Sequence, residues 1–237
     1  MNKVTPAVMA LVAINVGLFV LNSLSSIDLN QWFGLYFPDN PSYGIWQYLT
    51  SMFMHAGIFH LLFNMLGLWM FGSALEQVWG SQKFLFFYFA AGLGAGVIYT
   101  LVNQYQFDAA VTSLLQTRMT QEEIQTLLST RGYRLYPGVT EALVSDVYQH
   151  FHASMVGASG ALYGVLVAFA MRFPNVKLAL LFIPFPIAAK YFIPVLLSID
   201  LFSGITGFSL FGGGIAHFAH LGGALIGFTL MLLWRKA

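Results

Sequence analysis

Polar side chains that can do chemistry lie in three otherwise apolar segments: His60 and Asn64 in "HLLFN", Ser159 and Tyr163 in "GASGALYG", and His217 and His220 in "AHFAHLGGALIG". A serine hydroxyl is a weak nucleophile until a neighbouring base takes its proton, and a neutral imidazole can do so near pH 7. These residue types indicate acyl transfer with Ser159 as the nucleophile, provided that the fold brings a histidine to it.

Each of these side chains, taken alone, also has a simpler structural explanation. Serine is common at helix starts and in closely packed membrane helices. Asn64 is explained as well by an interhelical hydrogen bond, and His55 and His217 are better explained as structural than as catalytic. The function therefore depends on whether several of these residues meet at one place.

The composition indicates that most of the chain lies in lipid. Of its 237 residues 58% are hydrophobic and only 8% are charged, and the mean hydropathy is +0.72, which exceeds what soluble domains reach. A span needs about 20 mostly apolar residues. We predict an all-α membrane protein with six transmembrane helices near residues 5–23, 58–75, 84–103, 157–173, 177–198 and 214–234.

The first apolar run is interpreted as a retained span and not as a signal peptide. It is long, and the segment "LNSLSSID" that follows it is a poor cleavage site.

Several other classes of function are excluded by composition. The chain has no cysteine, so disulfides and thiol chemistry are absent. The net charge is +1 without a basic patch, which argues against nucleic acid as a partner. Neither a dinucleotide-binding glycine fingerprint nor a phosphate loop occurs, so no nucleotide cofactor is expected.

The positive charges predict the orientation of the spans. Three arginines fall in one long loop, at positions 118, 131 and 134, and long loops weigh less in the positive-inside rule. The remaining positive charges favour one side of the membrane: Lys3, Lys83, Arg172, Lys177, Lys190, Arg235 and Lys236. We therefore expect both termini to be cytoplasmic, and the compact six-span plan favours a bacterial inner membrane.

This orientation brings three polar residues to one depth. Spans two, four and six then run from the outer face inward, and His60, Ser159 and His220 each lie within about two turns of the start of their span. Small residues spaced four apart allow close helix packing, and they occur in spans four and six: Gly160 and Gly164, Gly223 and Gly227. We expect one site, open to the extracytoplasmic side.

The remaining roles in such a site follow from residue type and spacing. The backbone N–H of Ser159 at a helix N-terminus is one donor for an oxyanion, and His60 and Asn64 can supply two more. Tyr163, one turn beyond the serine, is predicted to stack under the imidazole and orient it. Asp200 is the nearest acid, but solvation at the interface explains it better than membership of a triad. The pattern thus predicts peptide hydrolysis by a Ser-His dyad.

The chain divides into three parts of a single membrane domain. Residues 1–104 hold spans one to three and an aromatic, interfacial first loop, and residues 151–237 hold spans four to six. Between them, residues 105–150 are predicted to form an extracytoplasmic helical insert, in which a capping box at Thr120 and Glu123 begins one helix.

At this level of detail the chain resembles the rhomboid intramembrane serine proteases. The resemblance rests on "HLLFN" in span two, Gly157-Ala158-Ser159-Gly160 in span four, and "AHLGGALIG" in span six, which matches the family pattern AH-x-x-G-x-x-x-G. It covers about residues 5–105 and 150–235. Each motif alone is weak, but the ordered set of three on six spans is specific.

The resemblance implies the rhomboid fold, with Ser159 as nucleophile, His220 as base, and His60 and Asn64 in the oxyanion site. It selects His220 over His217, because only His220 is followed by glycine at the third and seventh positions. It also implies that Tyr163 packs on the catalytic histidine and that no metal or cofactor is needed. The implied partners are the lipid bilayer and other transmembrane proteins, cut in or near a span.

Two features depart from or add to the family pattern. A Trp-Arg pair is common in the family's first loop, but Gln47 follows Trp46 here, which puts the usual polar anchoring of that loop in doubt. The glycine-rich loop before span six carries Phe208 and Phe211, which we predict to cap the site and move to admit substrate.

Two other functions stay open at this stage. A catalytically inactive relative that binds or escorts membrane proteins is expected to lack the serine or the histidine, and this chain has both. A transporter or channel built around the polar residues often contains repeated halves, and no internal repeat is evident.

Overall fold

The computed structural model describes residues 3–178, 185–208 and 217–234, and these residues are mainly helical. The helices are α1 (Pro6–Leu24), α2 (Leu29–Phe33), α3 (Gln47–Thr50), α4 (Ile58–Gly67), α5 (Ser73–Trp79), α6 (Ser81–Gln116), α7 (Gln121–Thr130), α8 (Glu141–His152), α9 (Ser159–Arg172), α10 (Ala189–Thr206) and α11 (His217–Trp234). A 3₁₀ turn at Ser51–Phe53 follows α3, and a π-helical turn at Leu68–Gly72 joins α4 to α5.

The prediction of an all-α membrane protein is confirmed. Within the part of the chain that the structure describes, five helical segments are long and apolar enough to cross a membrane: Pro6–Leu24, Ile58–Trp79, Ser81–Gln116, Ala189–Thr206 and His217–Trp234. The predicted fourth span corresponds to α9, which is apolar but has only 14 residues. At about 1.5 Å per residue it is about 21 Å long, shorter than the hydrocarbon core of a bilayer.

The predicted fifth span, 177–198, begins too early. Two-residue strands, β1 (Lys177–Leu178) and β2 (Ile187–Ala188), pair antiparallel at its start, and α10 then runs from Ala189 to Thr206. The sequence has prolines at positions 184 and 186. Because proline lacks an N–H and clashes with the preceding turn, a helix begins more easily after them than through them.

Helix α9 lies at the centre of the bundle. Nine of its fourteen residues are buried, and it packs against both α6 and α11. Glycines allow the closest approaches: a Cβ at Gly223 would lie 1.8 Å from the backbone oxygen of Gly160, and one at Gly227 would lie 2.6 Å from the Cα of Gly164. The two helices therefore touch backbone to backbone, which no larger residue at these positions would permit.

A buried carboxylate caps the N-terminus of the first helix. Glu76 is 2% exposed and accepts hydrogen bonds from the backbone N–H groups of Ala7 and Val8, each at 2.9 Å. The hydroxyls of Thr5 and Ser81 also donate to it. The first N–H groups of a helix have no partner within the helix, so this glutamate satisfies the start of α1 and joins α1 to α5.

The first loop, residues 25–57, is held by a buried glutamine. Gln47 is 0% exposed; its Oε1 accepts from the N–H of Tyr36 at 3.2 Å, and its Nε2 donates to the carbonyls of Trp32 at 3.2 Å and Ser42 at 2.8 Å. A neutral amide offers both an acceptor and two donors. Gln47 therefore anchors the loop by polar contacts, although the family's arginine is absent.

Replacing Gln47 with alanine is expected to lower the free energy of unfolding by about 3 kcal/mol, because a buried amide is lost and three backbone groups lose their partner. The thermal midpoint of the purified protein in detergent would measure this loss. Gln31→Ala is the matched control, since Gln31 is exposed in the same loop. A Gln47→Ala midpoint equal to that of Gln31→Ala would contradict the anchoring role.

The insert is a helical unit packed on the first loop. Helix α6 continues to Gln116, so the predicted boundary after residue 104 falls inside a helix. Thr120 and Glu123 form the expected capping box at the start of α7. The rings of Phe37, Phe107 and Phe151 cluster with centroids 4.8–5.9 Å apart, so the insert and the first loop share a small apolar core.

Candidate active site

Ser159 is the first residue of α9, and the turn before it contains Gly157 in a backbone conformation that favours glycine. Gly157 has φ +127° and donates its N–H to the carbonyl of Ser51 at 2.9 Å, which fixes the turn into the helix. The first N–H groups of the helix are unpaired within it, and the positive end of the helix dipole lies here. The serine thus lies where backbone donors and a favourable field for an anion are available.

His220 lies against this serine. Its Nε2 is 2.8 Å from the Oγ of Ser159, across a sequence separation of 61 residues. The ring of Tyr163, one turn along α9, stacks on the imidazole with centroids 4.2 Å apart and an interplanar angle of 11°. A hydroxyl at this distance from an imidazole nitrogen can transfer its proton to it.

The other ring nitrogen of His220 faces a carboxylate. Its Nδ1 lies 3.2 Å from the Oδ1 of Asp200, which is 5% exposed and comes from α10. A carboxylate only accepts hydrogen bonds, so this contact favours the tautomer with the proton on Nδ1. In that tautomer Nε2 carries the lone pair that faces Ser159.

His60, near the start of α4, also lies close to the serine. A Cβ at Gly157 would be 2.7 Å from the Nε2 of His60 and 3.6 Å from the Oγ of Ser159, so both side chains border the same small space. Asn64, also predicted for this side, is 4% exposed and donates its amide to the carbonyl of His60 at 3.0 Å, within its own helix. The structure therefore brings His60 to the serine and directs one N–H of Asn64 elsewhere.

A second histidine, His55, packs against His60. The His55 ring is 3% exposed and lies edge-on to that of His60, with centroids 5.0 Å apart. Burial, with a smaller contribution from the neighbouring His60, lowers the pKa of His55 to about 4. His55 is therefore neutral at pH 7 and packs against His60 without competing for an anion.

Comparison with known proteins places this arrangement in a family. A family model for the rhomboid domain matches residues 43–237, most of the chain. The chain belongs to the rhomboid family. This finding confirms the resemblance inferred from the three motifs.

Curated relatives of this rhomboid are similar over different shares of its length. The mitochondrial presenilin-associated rhomboid-like proteins of Bos taurus and Homo sapiens are 28% identical over 237 residues, which is 97% of this chain and 50% of theirs. Rhomboid protease GluP of Bacillus subtilis is 42% identical over 60 residues, 25% of this chain and 12% of GluP. The rhomboid chain thus spans about half the length of the curated relatives that it matches first.

The expectation of a bacterial inner membrane is wrong. The relatives that match most of this rhomboid are mitochondrial by name, among them Rhomboid protein 1 of Saccharomyces cerevisiae, which is 28% identical over 76% of this chain. The charge distribution along a sequence concerns the sidedness of the spans, and it carries no information about which organelle holds them.

Asp200 is the residue of this rhomboid that sequence reasoning underestimated. The sequence favours an acid solvated at the interface, but Asp200 is buried and contacts both His217, at 2.5 Å, and His220. One signal was available: Asp200 is the only carboxylate in residues 189–206, and an acid within a span marks a functional site by default.

Of the two predicted gate residues, Phe208 lies within the described part of the chain. Phe208 follows the end of α10 and is 59% exposed, with Gly207 at φ +71° before it. Phe211 lies outside the described residues. The role of this segment in admitting substrate stays a prediction.

Proposed function

We propose that this rhomboid is a serine endopeptidase that cleaves transmembrane proteins in or near their membrane spans. The observation that carries the proposal is the 2.8 Å contact between the Oγ of Ser159 and the Nε2 of His220. It is supported by membership of a family whose member in Bacillus subtilis is named a protease.

In the proposed reaction Ser159 attacks the carbonyl carbon of the scissile bond while His220 Nε2 takes its proton. The N–H of Ser159 and the ring of His60 would then stabilise the oxyanion, as preorganised donors do. His220 next gives the proton to the leaving amine, which leaves an acyl-enzyme. A water molecule, deprotonated by the same nitrogen, releases the second product and restores the serine.

Asp200 and Tyr163 would act as positioning residues. Asp200 holds the proton of His220 on Nδ1, and the Tyr163 ring restricts the imidazole to one plane. Neither has to touch the substrate. This role differs from the bare dyad expected from the sequence, because it gives the base a carboxylate partner.

The proposed substrates are membrane proteins because the site lies among membrane-spanning helices. A substrate span must unwind locally before its peptide bond is accessible, and unwound backbone in lipid is costly. Unwinding is therefore expected within the enzyme, and helix-breaking or small residues near the cleaved bond should favour it.

A serine-reactive fluorophosphonate probe tests the proposal directly. We expect the purified protein to be labelled, Ser159→Ala to be unlabelled, and His220→Ala to be labelled far more weakly, because the hydroxyl then lacks its base. Ser198→Ala is the matched control, since Ser198 is an exposed serine on α10. In-gel fluorescence after equal exposure measures the result.

Labelling of the unmodified protein no stronger than that of Ser159→Ala would overturn the proposal. That outcome would favour the alternative function, a catalytically inactive rhomboid that binds or escorts other membrane proteins.

A further inference from the structure

A carboxylate and two histidines form a compact cluster where α10 meets α11. Asp200, His217 and His220 each offer one ligand atom, and these atoms lie within 4.8 Å of one another. Across residues 3–178, 185–208 and 217–234 no other group of three such side chains is this close. The proposed hydrolysis uses Asp200 and His220 and has no task for His217.

The ligand atoms of this cluster are of the kinds that bind transition-metal ions. Imidazole nitrogen and carboxylate oxygen are the usual ligands of Zn²⁺ in sites where a fourth position is left open. The Nδ1 atoms of His217 and His220 both face the Oδ1 of Asp200, at 2.5 and 3.2 Å. Ligand atoms of a tetrahedral zinc ion lie about 3.3 Å apart, since each is about 2.0 Å from the metal. Movements of the order of 1 Å would therefore admit an ion.

Helix α11 presents the two imidazoles side by side. His217 and His220 are three residues apart on α11, so they lie on one face. Each histidine side chain is 12% exposed and the Asp200 side chain is 7% exposed, so the cluster is largely buried but keeps some contact with solvent.

We propose that Asp200, His217 and His220 bind a divalent transition-metal ion, Zn²⁺ in preference, and that the bound ion switches off hydrolysis. The regulatory half of this proposal rests on the proposed function, whereas the binding half does not.

Inhibition follows from the tautomer of His220. A neutral imidazole has one N–H and one lone pair, and hydrolysis needs the lone pair on Nε2. An ion on Nδ1 uses the lone pair there, so the ring proton must move to Nε2. The nitrogen facing Ser159 would then be a donor, and no base would remain to take the serine proton. The ion would also withdraw Asp200 from its positioning contact.

Binding is tested with Co²⁺, whose visible absorption reports a tetrahedral site, and with Zn²⁺ in competition. The protein should carry an affinity tag without histidines. We expect the absorption spectrum of tetrahedral Co²⁺ both with the unmodified protein and with Ser159→Ala, because the serine is not a ligand. His217→Asn should weaken binding by at least about 100-fold, since loss of even an outer partner costs 10–100-fold.

His217→Asn keeps a side-chain N–H near Asp200, and its thermal midpoint checks that it folds. Asp146→Asn is the matched control, because Asp146 is the carboxylate beside another histidine, His150, at 3.3 Å. This control should leave the Co²⁺ spectrum unchanged.

Regulation is tested by cleavage of a reporter substrate, with each variant compared with its own metal-free rate. Zn²⁺ should inhibit the unmodified protein, a chelator should restore the rate, and His217→Asn should require at least about 100-fold more Zn²⁺ for half inhibition. Binding that is absent, or unaffected by His217→Asn, would overturn the site. Binding at the site without loss of cleavage would overturn the regulation.

The failure of the proposed function would look different from either result. A chain without protease activity would show no reporter cleavage in the absence of metal but would still give the Co²⁺ spectrum, and His217→Asn would still weaken Co²⁺ binding. That outcome would retain the metal site and remove its regulatory role.

Discussion

Ser159→Ala is expected to reduce cleavage of a reporter membrane substrate to the uncatalysed background. Removing the nucleophile of a serine protease lowers kcat by on the order of 10⁶-fold, because the acyl-enzyme can no longer form. In this rhomboid the hydroxyl lies 2.8 Å from the Nε2 of His220, the proposed base, and alanine removes only that one oxygen. Cleavage in proteoliposomes, followed by the appearance of the two fragments over time, measures the loss.

The variant should remain folded, since the Ser159 Oγ makes its contact with His220 and not with the packed core. Its thermal midpoint should lie close to that of the unmodified protein. Ser198→Ala should cleave at the unmodified rate, because Ser198 is exposed and donates only within its own helix. Cleavage by Ser159→Ala at the rate of Ser198→Ala would reject Ser159 as the nucleophile.

Asp200→Asn is expected to lower kcat by at least about 100-fold with little change in KM. In soluble serine proteases the corresponding change costs about 10⁴-fold, because the amide favours the wrong tautomer of the histidine. Here the asparagine amide can donate to the Nδ1 of His220, which moves the ring proton to Nε2 and removes the base. KM should change little because Asp200 lies behind the imidazole, away from Ser159.

Steady-state kinetics on the reporter separates this role from a structural one. Asp200→Glu keeps an acceptor and should recover part of the lost kcat, whereas Asp200→Asn should not. Asp108→Asn is the control, since Asp108 is an exposed acid on α6. An unchanged kcat in Asp200→Asn would reject Asp200 as a positioning residue.

The membrane character of the chain could be predicted because hydropathy is a local property. Each apolar run is set by the residues within it, so α1 and α11 appear close to their predicted places and α6 begins near its predicted start, although it continues to Gln116. The beginning of α10 could not be predicted this way. The short antiparallel pair of β1 and β2 before it depends on pairing between residues nine and eleven positions apart.

The pairing of Ser159 with His220 was accessible from the sequence because small residues restrict how two helices can pack. The glycines at 160 and 164 and those at 223 and 227 leave space only for backbone contact, and that contact brings the two side chains together. The catalytic roles of these two residues stay predictions.

Only the tertiary structure decided the contacts of side chains whose partners no sequence pattern identifies. Gln47 bonds to residues 5, 11 and 15 positions away in an irregular loop. Asp200 reaches two histidines through the crossing of α10 and α11, and both the crossing and the rotation of α10 depend on packing over the whole bundle. The sequence by itself determined which residues are apolar, which are small and which can do chemistry. Which carboxylate faces which imidazole was decided by helix rotation, and no local pattern encodes that.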